Sequence, residues 1–530
     1  MQRRSVLKSA LAGAAVLAAP SLARAQGAAG RKNVLRFVPQ SDLASLDPIW
    51  TTADVTRNYS LAVFDTLYGI DASFNPQLQM LAGATTSADG LTWDLTLRDG
   101  LLFHDGSKVL AADCVASIKR FVVRDALGSA LGVRMAEITA PSDKMIRIRL
   151  TKKFGLLPTA LGQYGCAIMP ERIAKTDPFT QISEAVGSGP FRFKADERLP
   201  GARVVFEKFA GYVPRADGVA SATAGPKIVH LDRVEWQVMP DPGTAQSALI
   251  NNEVDWWENP SFDLIPPLRK DRRLTVRVTD VTGEIGCLRF NHLLPPFNNL
   301  AIRKVVQAAM NQQDVMQAVA GAEPALIKVP VGLFVPGTPF ASDVGLEANT
   351  SGWKDIAKLK AALTAAGYKG EKIVLLASTT QATIYAEAQV AADVLTRIGF
   401  NVDFQTLEWG TVVARRASKE TIDKGGWNIF FTYLGGTGNI SPATMLAARG
   451  NGDKAWFGWP TSDKMEALRD TWFEAPDLAA QQKITTAMQA EFWNFLPYVP
   501  LGMYAQPTVY FSTLKGVPEG FPQFYGVQKT

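Results

Sequence analysis

Cysteine and histidine are scarce in this 530-residue chain, which has three of each. Cys114, Cys166 and Cys287 are odd in number and widely spaced, so at least one thiol stays unpaired within the chain and no disulfide framework can be read from them. All three are expected to be buried as small apolar residues. His104, His230 and His292 stand apart from one another and from the cysteines, and no HExxH or CxxC spacing occurs. The sequence therefore offers no zinc ligand set, and no metal or cofactor is assigned. A P-loop and a GxSxG nucleophile elbow are also missing; Gly187-Ser188-Gly189-Pro190 puts a serine between glycines at the wrong spacing and reads as a turn. No local feature singles out one pair among the 50 acids as general acid and base. These absences favour a binding protein over an enzyme.

A surplus of one charge is lacking too. The chain has 55 Lys+Arg against 50 Asp+Glu, and Arg3, Arg4, Lys8 and Arg24 lie in an N-terminal segment that reads as removable, which leaves 51 against 50. Nucleic-acid binding would require basic charge concentrated on one face, so no nucleic-acid partner is expected. Beyond the N-terminal segment no run is long and apolar enough for stable membrane insertion.

That segment, residues 1–25, has a basic head, Met1-Gln2-Arg3-Arg4-Ser5-Val6-Leu7-Lys8, then a short apolar stretch and the small-residue site Ala23-Arg24-Ala25. It reads as an export signal. The Arg3-Arg4 pair resembles a twin-arginine signal with Val6 where Phe is commoner, and an ordinary secretory signal with two arginines stays open. No cysteine follows Ala25 where a lipid would be attached. A freely diffusing monomer of the bacterial periplasm is expected. About 505 residues remain, too many for one hydrophobic core, so two or three domains are expected.

The clearest pattern lies between residues 353 and 434. Ile356, Leu359, Leu363 and Ala366 recur at helical spacing before Gly367; Lys372 to Ala377 is an apolar run suited to a doubly covered strand. Ile384, Ala388, Ala391, Leu395 and Ile398 make a second helical stripe ended by Gly399, and Phe400, Val402 and Phe404 alternate as a strand. A helix from Gly410 to Lys419 and a strand from Trp427 to Leu434 complete a β-α-β-α-β series, which predicts parallel strands with right-handed crossovers. Upstream, Ile302, Val305, Val306 and Ala309 line another helix, with Asp314 as the cap of the next. Residues 88–150 read as a smaller α+β unit, and the Gly-, Ala- and Pro-rich stretch Gly211 to Pro226 as a surface excursion before a strand from Val229 to Val238.

Open α/β sheets bind ligands beyond the carboxyl ends of their strands. That rule brings together Ser378-Thr379-Thr380-Gln381, Glu408-Trp409-Gly410 and Leu434-Gly435-Gly436-Thr437-Gly438-Asn439. The candidate ligand-binding residues are Thr379, Trp409, Tyr433, Gly435, Gly436, Thr437 and Asn439. The glycines would let backbone approach a ligand, the hydroxyls and amide would supply hydrogen bonds, and the rings would supply apolar faces. Trp409 as a core residue and the glycines as a plain turn remain the alternatives.

Several blocks together resemble the family 5 extracellular solute-binding proteins, which deliver dipeptides, oligopeptides, glutathione or nickel complexes to ABC importers. They are Leu46-Asp47-Pro48, Phe64-Asp65-Thr66-Leu67-Tyr68, Trp93 to Gly100 running on to His104-Asp105-Gly106, Gly187 to Phe191, Arg289-Phe290-Asn291 to Phe297 with Arg303 behind, and Ile398 to Val402 leading to Glu408-Trp409-Gly410. The resemblance implies an α/β fold: a two-lobed periplasmic binding protein fold with a hinge, type II-like, plus an additional α+β domain inserted in the first lobe. The expected limits are 34–70, 185–280 and 501–530 for lobe I, 71–184 for the extra domain and 281–500 for lobe II. It also implies a peptide or small-molecule ligand and an ABC transporter membrane permease as partners, and it points to Trp50 and Thr51 on the opposing lobe. The sequence departs from dipeptide-binding relatives, which resemble one another in an Arg-Pro-Tyr stretch where this chain reads Ser378-Thr379-Thr380-Gln381, and in a Trp-x-Gly-Asp segment where it reads Thr432 to Gly438. Without those anchors a buried free dipeptide would leave charges unpaired at several kcal/mol, by order of magnitude, so a free dipeptide is disfavoured. A secreted hydrolase with an unrecognised site, and a peptide-holding chaperone or sensor adaptor, are the other readings.

Overall fold

The computed structural model describes residues 33–530 apart from 322, 350, 351 and 476. The expected export signal, residues 1–25, lies outside the described residues. Two large sheets and a four-stranded one organise the described chain, beside two two-stranded sheets.

The first lobe is built on a seven-stranded sheet in the order Leu274–Val278, Pro507–Phe511, Trp256–Trp257, Val34–Val38, Arg233–Gln237, Arg203–Lys208, Phe191–Phe193. Val34–Val38 is central and runs parallel to both its neighbours. Its Phe37 is fully buried and meets Trp236, Trp256 and Phe524 at ring-centroid distances of 5.8, 5.1 and 5.2 Å. Mutually tilted rings add an edge-to-face preference to the area they bury.

The second lobe carries the expected β-α-β-α-β series as Lys372–Ser378, Ala382–Arg397, Asn401–Leu407, Trp409–Arg415 and Ile429–Gly435. Lys372–Ser378 pairs in parallel with both other strands. Ile384, Ala388, Ala391 and Leu395 are buried as one face of the long helix, and Gly367 and Gly399 take φ of +89° and +106° where the chain leaves its helices. The series is half of a six-stranded sheet: Glu284–Phe290 pairs antiparallel with Ile429–Gly435 on one side and Tyr498–Tyr504 on the other. Three details differ from the sequence reading. The helix after Trp409 stops at Arg415 instead of Lys419. Asn311, rather than Asp314, caps the helix Gln312–Ala320, because its side-chain oxygen accepts the Asp314 N–H at 3.1 Å. Strand Tyr498–Tyr504 runs through the expected lobe boundary at 500/501, since its pairing with Glu284–Phe290 holds it in the second sheet to its end. The main chain thus passes between the two large sheets at 279–283 and at 505–506.

The extra domain has a four-stranded antiparallel sheet, in the order Leu81–Thr86, Thr92–Leu97, Met145–Leu150, Met135–Thr139, with the helix Ala111–Arg124 against it. Cys114 and Cys166 are buried in its core, and Cys287 in that of the second lobe. A buried ion pair ties it to the first lobe: Arg120 binds Asp47, and the same Asp47 carboxylate accepts the Ile182 N–H at 3.1 Å. A second buried pair lies within the first lobe, where Lys227 sits 2.8 Å from Asp65, which also accepts the Tyr212 hydroxyl at 2.9 Å. On its far side the extra domain meets the second lobe: Trp472 is buried in its core, and Phe473 lies 5.6 Å from Phe154.

Asp65 and Lys227 are both shielded from water, so removing one strands the other. Lys227→Met is expected to cost about 3–5 kcal/mol, read as a shift of the denaturant midpoint by circular dichroism. A change below about 1 kcal/mol would show that the pair contributes little.

Candidate functional site

The parallel strands end together at Ser378, Leu407 and Gly435, and their loops are tied into one rim. Thr379 N–H donates to Leu407 O at 2.8 Å and Trp409 N–H to Thr380 Oγ1 at 3.2 Å. This rim faces the first lobe. Gln381 Nε2 donates to Gln40 O at 2.9 Å, and the Tyr433 hydroxyl is hydrogen-bonded to Gln40 Oε1. Between the lobes and the extra domain lies a cavity of about 1610 Å³.

Of the candidate residues, Trp409, Tyr433, Gly435, Thr437 and Asn439 line this cavity from the second lobe, and Trp50 and Thr51 from the opposite wall. Thr379 and Gly436 do not line it. Thr379 spends both its N–H and its hydroxyl on Leu407 O, which turns it along the rim. A Cβ on Gly436 would come within 2.1 Å of Thr282 O, so this glycine permits a close backbone approach to the connecting segment instead of to a ligand. Gly435, by contrast, has open space where its Cβ would stand.

The structure adds charged groups to the wall. Asp54 opens the helix Asp54–Val63 and pairs with Arg57 one turn on at 2.8 Å, while the Arg57 guanidinium lies 4.3 Å over the ring of Phe521. Close by, Glu258 accepts Gln40 N–H at 2.7 Å and Asn58 Nδ2 at 2.8 Å. Burial pushes the Glu258 carboxyl up to about 7, against those stabilising hydrogen bonds.

Arg416 is the most unusual of these groups. It is 2% exposed, lines the cavity, and is surrounded by the rings of Trp409, Phe430, Trp456 and Phe457 at 5.6, 5.7, 5.4 and 4.7 Å. No carboxylate pairs with it among the described residues, its Nε has no hydrogen-bond partner, and neither does the adjoining Trp456 indole N–H. Burial lowers its pKa to about 10. Aromatic faces stabilise a guanidinium by about 0.5–2 kcal/mol each. They leave its in-plane N–H groups unsatisfied, and those are the donors that grip a carboxylate.

Sequence reasoning missed Arg416, Arg57, Asp54 and Gln40. A signal for Arg416 was present: it stands seven residues after Trp409, two helical turns on and on the same face. Gln40, Asp54 and Arg57 carry no comparable local signal, because only the approach of the lobes brings them to the rim.

Residues 75–456 match the model of the bacterial extracellular solute-binding proteins, family 5 Middle. The chain belongs to this family. A probable peptide ABC transporter periplasmic-binding protein of Sinorhizobium fredii is 36% identical to this solute-binding protein over 535 residues, covering 100% of the chain and 99% of the relative. Among solved structures, the binding protein AgaA of A. tumefaciens R10 in complex with agropinic acid superposes with a TM-score of 0.78 at 20% identity, covering 94% of this chain and 99% of its own. DppA of Helicobacter pylori in complex with the peptide STSA gives 0.78 at 21%, covering 94% and 98%. These likenesses show the two-lobed binding-protein fold.

The raised Glu258 carboxyl sets a pH dependence. An unshifted glutamate titrates near 4.5, so between about pH 4.5 and 7 the folded protein holds a proton that the unfolded chain has released. Its contribution to stability therefore falls as pH rises through that window and is level above it. Glu258→Gln is expected to remove this fall, seen as a flatter melting-temperature profile of the ligand-free protein relative to wild type. Parallel profiles would show that Glu258 titrates normally.

Proposed function

We propose that this solute-binding protein captures a carboxylate-bearing peptide or small organic solute outside the cytoplasm and passes it to the membrane permease of an ABC importer, with Arg416 seating the carboxylate. The carrying observation is Arg416 itself: a cavity-lining guanidinium, 2% exposed, with aromatic walls and no counter-charge among the described residues. Holding it unpaired costs several kcal/mol, by order of magnitude, and an anionic ligand group would offset that cost at the moment of binding. The cavity volume of about 1610 Å³ exceeds the roughly 300–1000 Å³ of an ordinary small-molecule pocket, which suits an elongated ligand. Delivery to an importer is supported by the description of the Sinorhizobium relative. Among the described residues no helix is long and apolar enough to cross a membrane. Periplasmic location rests on that relative and on the N-terminal segment read above as an export signal.

Mass spectrometry of ligand released from the purified protein tests the reading; a released neutral or purely cationic ligand would contradict it. With the released ligand in hand, Arg416→Gln is expected to weaken binding by at least about tenfold, while the melting temperature of the ligand-free protein stays level or rises because an unpaired buried charge has gone. Trp409→Ala is expected to weaken binding without unfolding the protein. A large fall in the ligand-free melting temperature would instead make Trp409 a core residue. Replacing Arg3 and Arg4 by Lys is expected to stop export, and continued export would leave the ordinary secretory route.

A further inference from the structure

Two more guanidinium groups line the same cavity without a carboxylate partner among the described residues: Arg469 is 3% exposed and donates to Pro442 O, Ala126 O and Ala443 O, whereas Arg124 stands beside exposed surface on a different body of the protein. Arg124 ends the extra-domain helix Ala111–Arg124. Its guanidinium lies 4.5 Å over the ring of Trp50 and 5.5 Å from that of Phe179. Among the described residues its side chain donates to two main-chain carbonyls, Pro178 O at 3.2 Å and Trp50 O at 3.4 Å. The two acids nearest in the chain and in space are occupied: Asp47 binds Arg120, and Asp125 accepts the Leu127 and Gly128 N–H groups at 2.8 Å as a helix cap. By contrast Arg57, Lys419 and Arg449, which line the cavity too, each hold a carboxylate, from Asp54, Asp453 and Glu466.

An indole beneath a guanidinium fixes the plane of the group, and the remaining N–H edge is then set for a carboxylate approaching in that plane. The surroundings are apolar and open. Phe179 is 69% exposed and Val133 77%, and both line the mouth of the cavity. Exposed apolar surface beside a fixed cation matches a ligand with an anionic end and an apolar neighbour.

We infer that the ligand is a dianion, with one carboxylate at Arg416 on the second lobe and the other at Arg124 on the Trp50–Phe179 shelf of the extra domain. This rests on the cavity being the solute site. The extra domain thereby becomes part of ligand selection: a diacid of the right length links two bodies that a monoacid would engage singly. The missing dipeptide anchors fit this pattern, since a linear molecule with anions at both ends needs two cations and no ammonium partner.

The test uses succinylated peptides of increasing length, which carry a carboxylate at each end and no ammonium, together with both monoamides of each, titrated calorimetrically into the full mature protein. At the best length the diacid is expected to bind about tenfold more tightly than either monoamide, the effect of one charge-assisted hydrogen-bonded contact. Arg124→Gln is expected to abolish that advantage by weakening the diacid and one monoamide, leaving the other monoamide and the ligand-free melting temperature unchanged; Arg124→Lys should recover part of it. A panel in which no diacid outperforms its own monoamides overturns the inference. So does a diacid preference that Arg416→Gln removes and Arg124→Gln leaves intact, an outcome that keeps the Arg416 reading. If a preference survives both variants, both readings fall.

Discussion

Among the described residues the main chain passes between the two large sheets only at 279–283 and 505–506, and that economy of connection governs the rest of the molecule. Each sheet closes its own aromatic or aliphatic core, as separate domains do. Two short connecting segments allow hinge closure, and the relative position of the lobes is then set by weak contacts across the cleft. Gln40 shows what those contacts are: one first-lobe side chain and its carbonyl meet Tyr433 on the strand Ile429–Gly435 and Gln381 at the start of the helix Ala382–Arg397. The extra domain complicates the hinge, because it is fastened to the first lobe through Arg120–Asp47 and also packs Trp472 of the second lobe into its own core.

Charge inside that cleft has been distributed unevenly. Arg57, Lys419 and Arg449 line it with their carboxylates Asp54, Asp453 and Glu466 beside them. Arg416 has aromatic faces, and Arg124 an aromatic face and two main-chain carbonyls, but neither has a carboxylate among the described residues. A structural ion pair would have been worth little or even costly in such a place. An unpaired cation walled by rings is poorly solvated and poorly neutralised, which is the state that a ligand anion improves most. Specificity in such a site comes from where cations are left without partners as much as from shape.

Local periodicity made half of the second sheet legible. The β-α-β-α-β series was readable because the helix Ala382–Arg397 buries one stripe and is followed by Gly399 at positive φ, as the preceding helix Ile356–Ala365 is by Gly367. The antiparallel half was not, since Glu284–Phe290 and Tyr498–Tyr504 are distant in sequence and nearly continuously buried, which erases the alternation that marks a strand. Loop residues were readable by position and only partly by role. Trp409, Tyr433 and Gly435 face the cavity, whereas Gly436 answers to the Thr282 carbonyl and Thr379 to Leu407, contacts that no local pattern encodes.

By itself the sequence determined the kind of molecule: the scarcity of catalytic and metal-binding patterns, the strand-helix alternation and the ordered blocks from Leu46 to Gly410 fix a solute-binding fold. These are properties of composition and of short-range spacing, which hydrophobic burial turns directly into elements. Only the tertiary structure decided which charges stay unpaired. Arg57 and Arg416 look alike in a sequence, yet one has Asp54 a helical turn away and the other has four rings drawn from separate segments. The rings that desolvate Arg416 come from segments distant along the chain, and so the chemistry of the cleft exists only once the tertiary structure has formed.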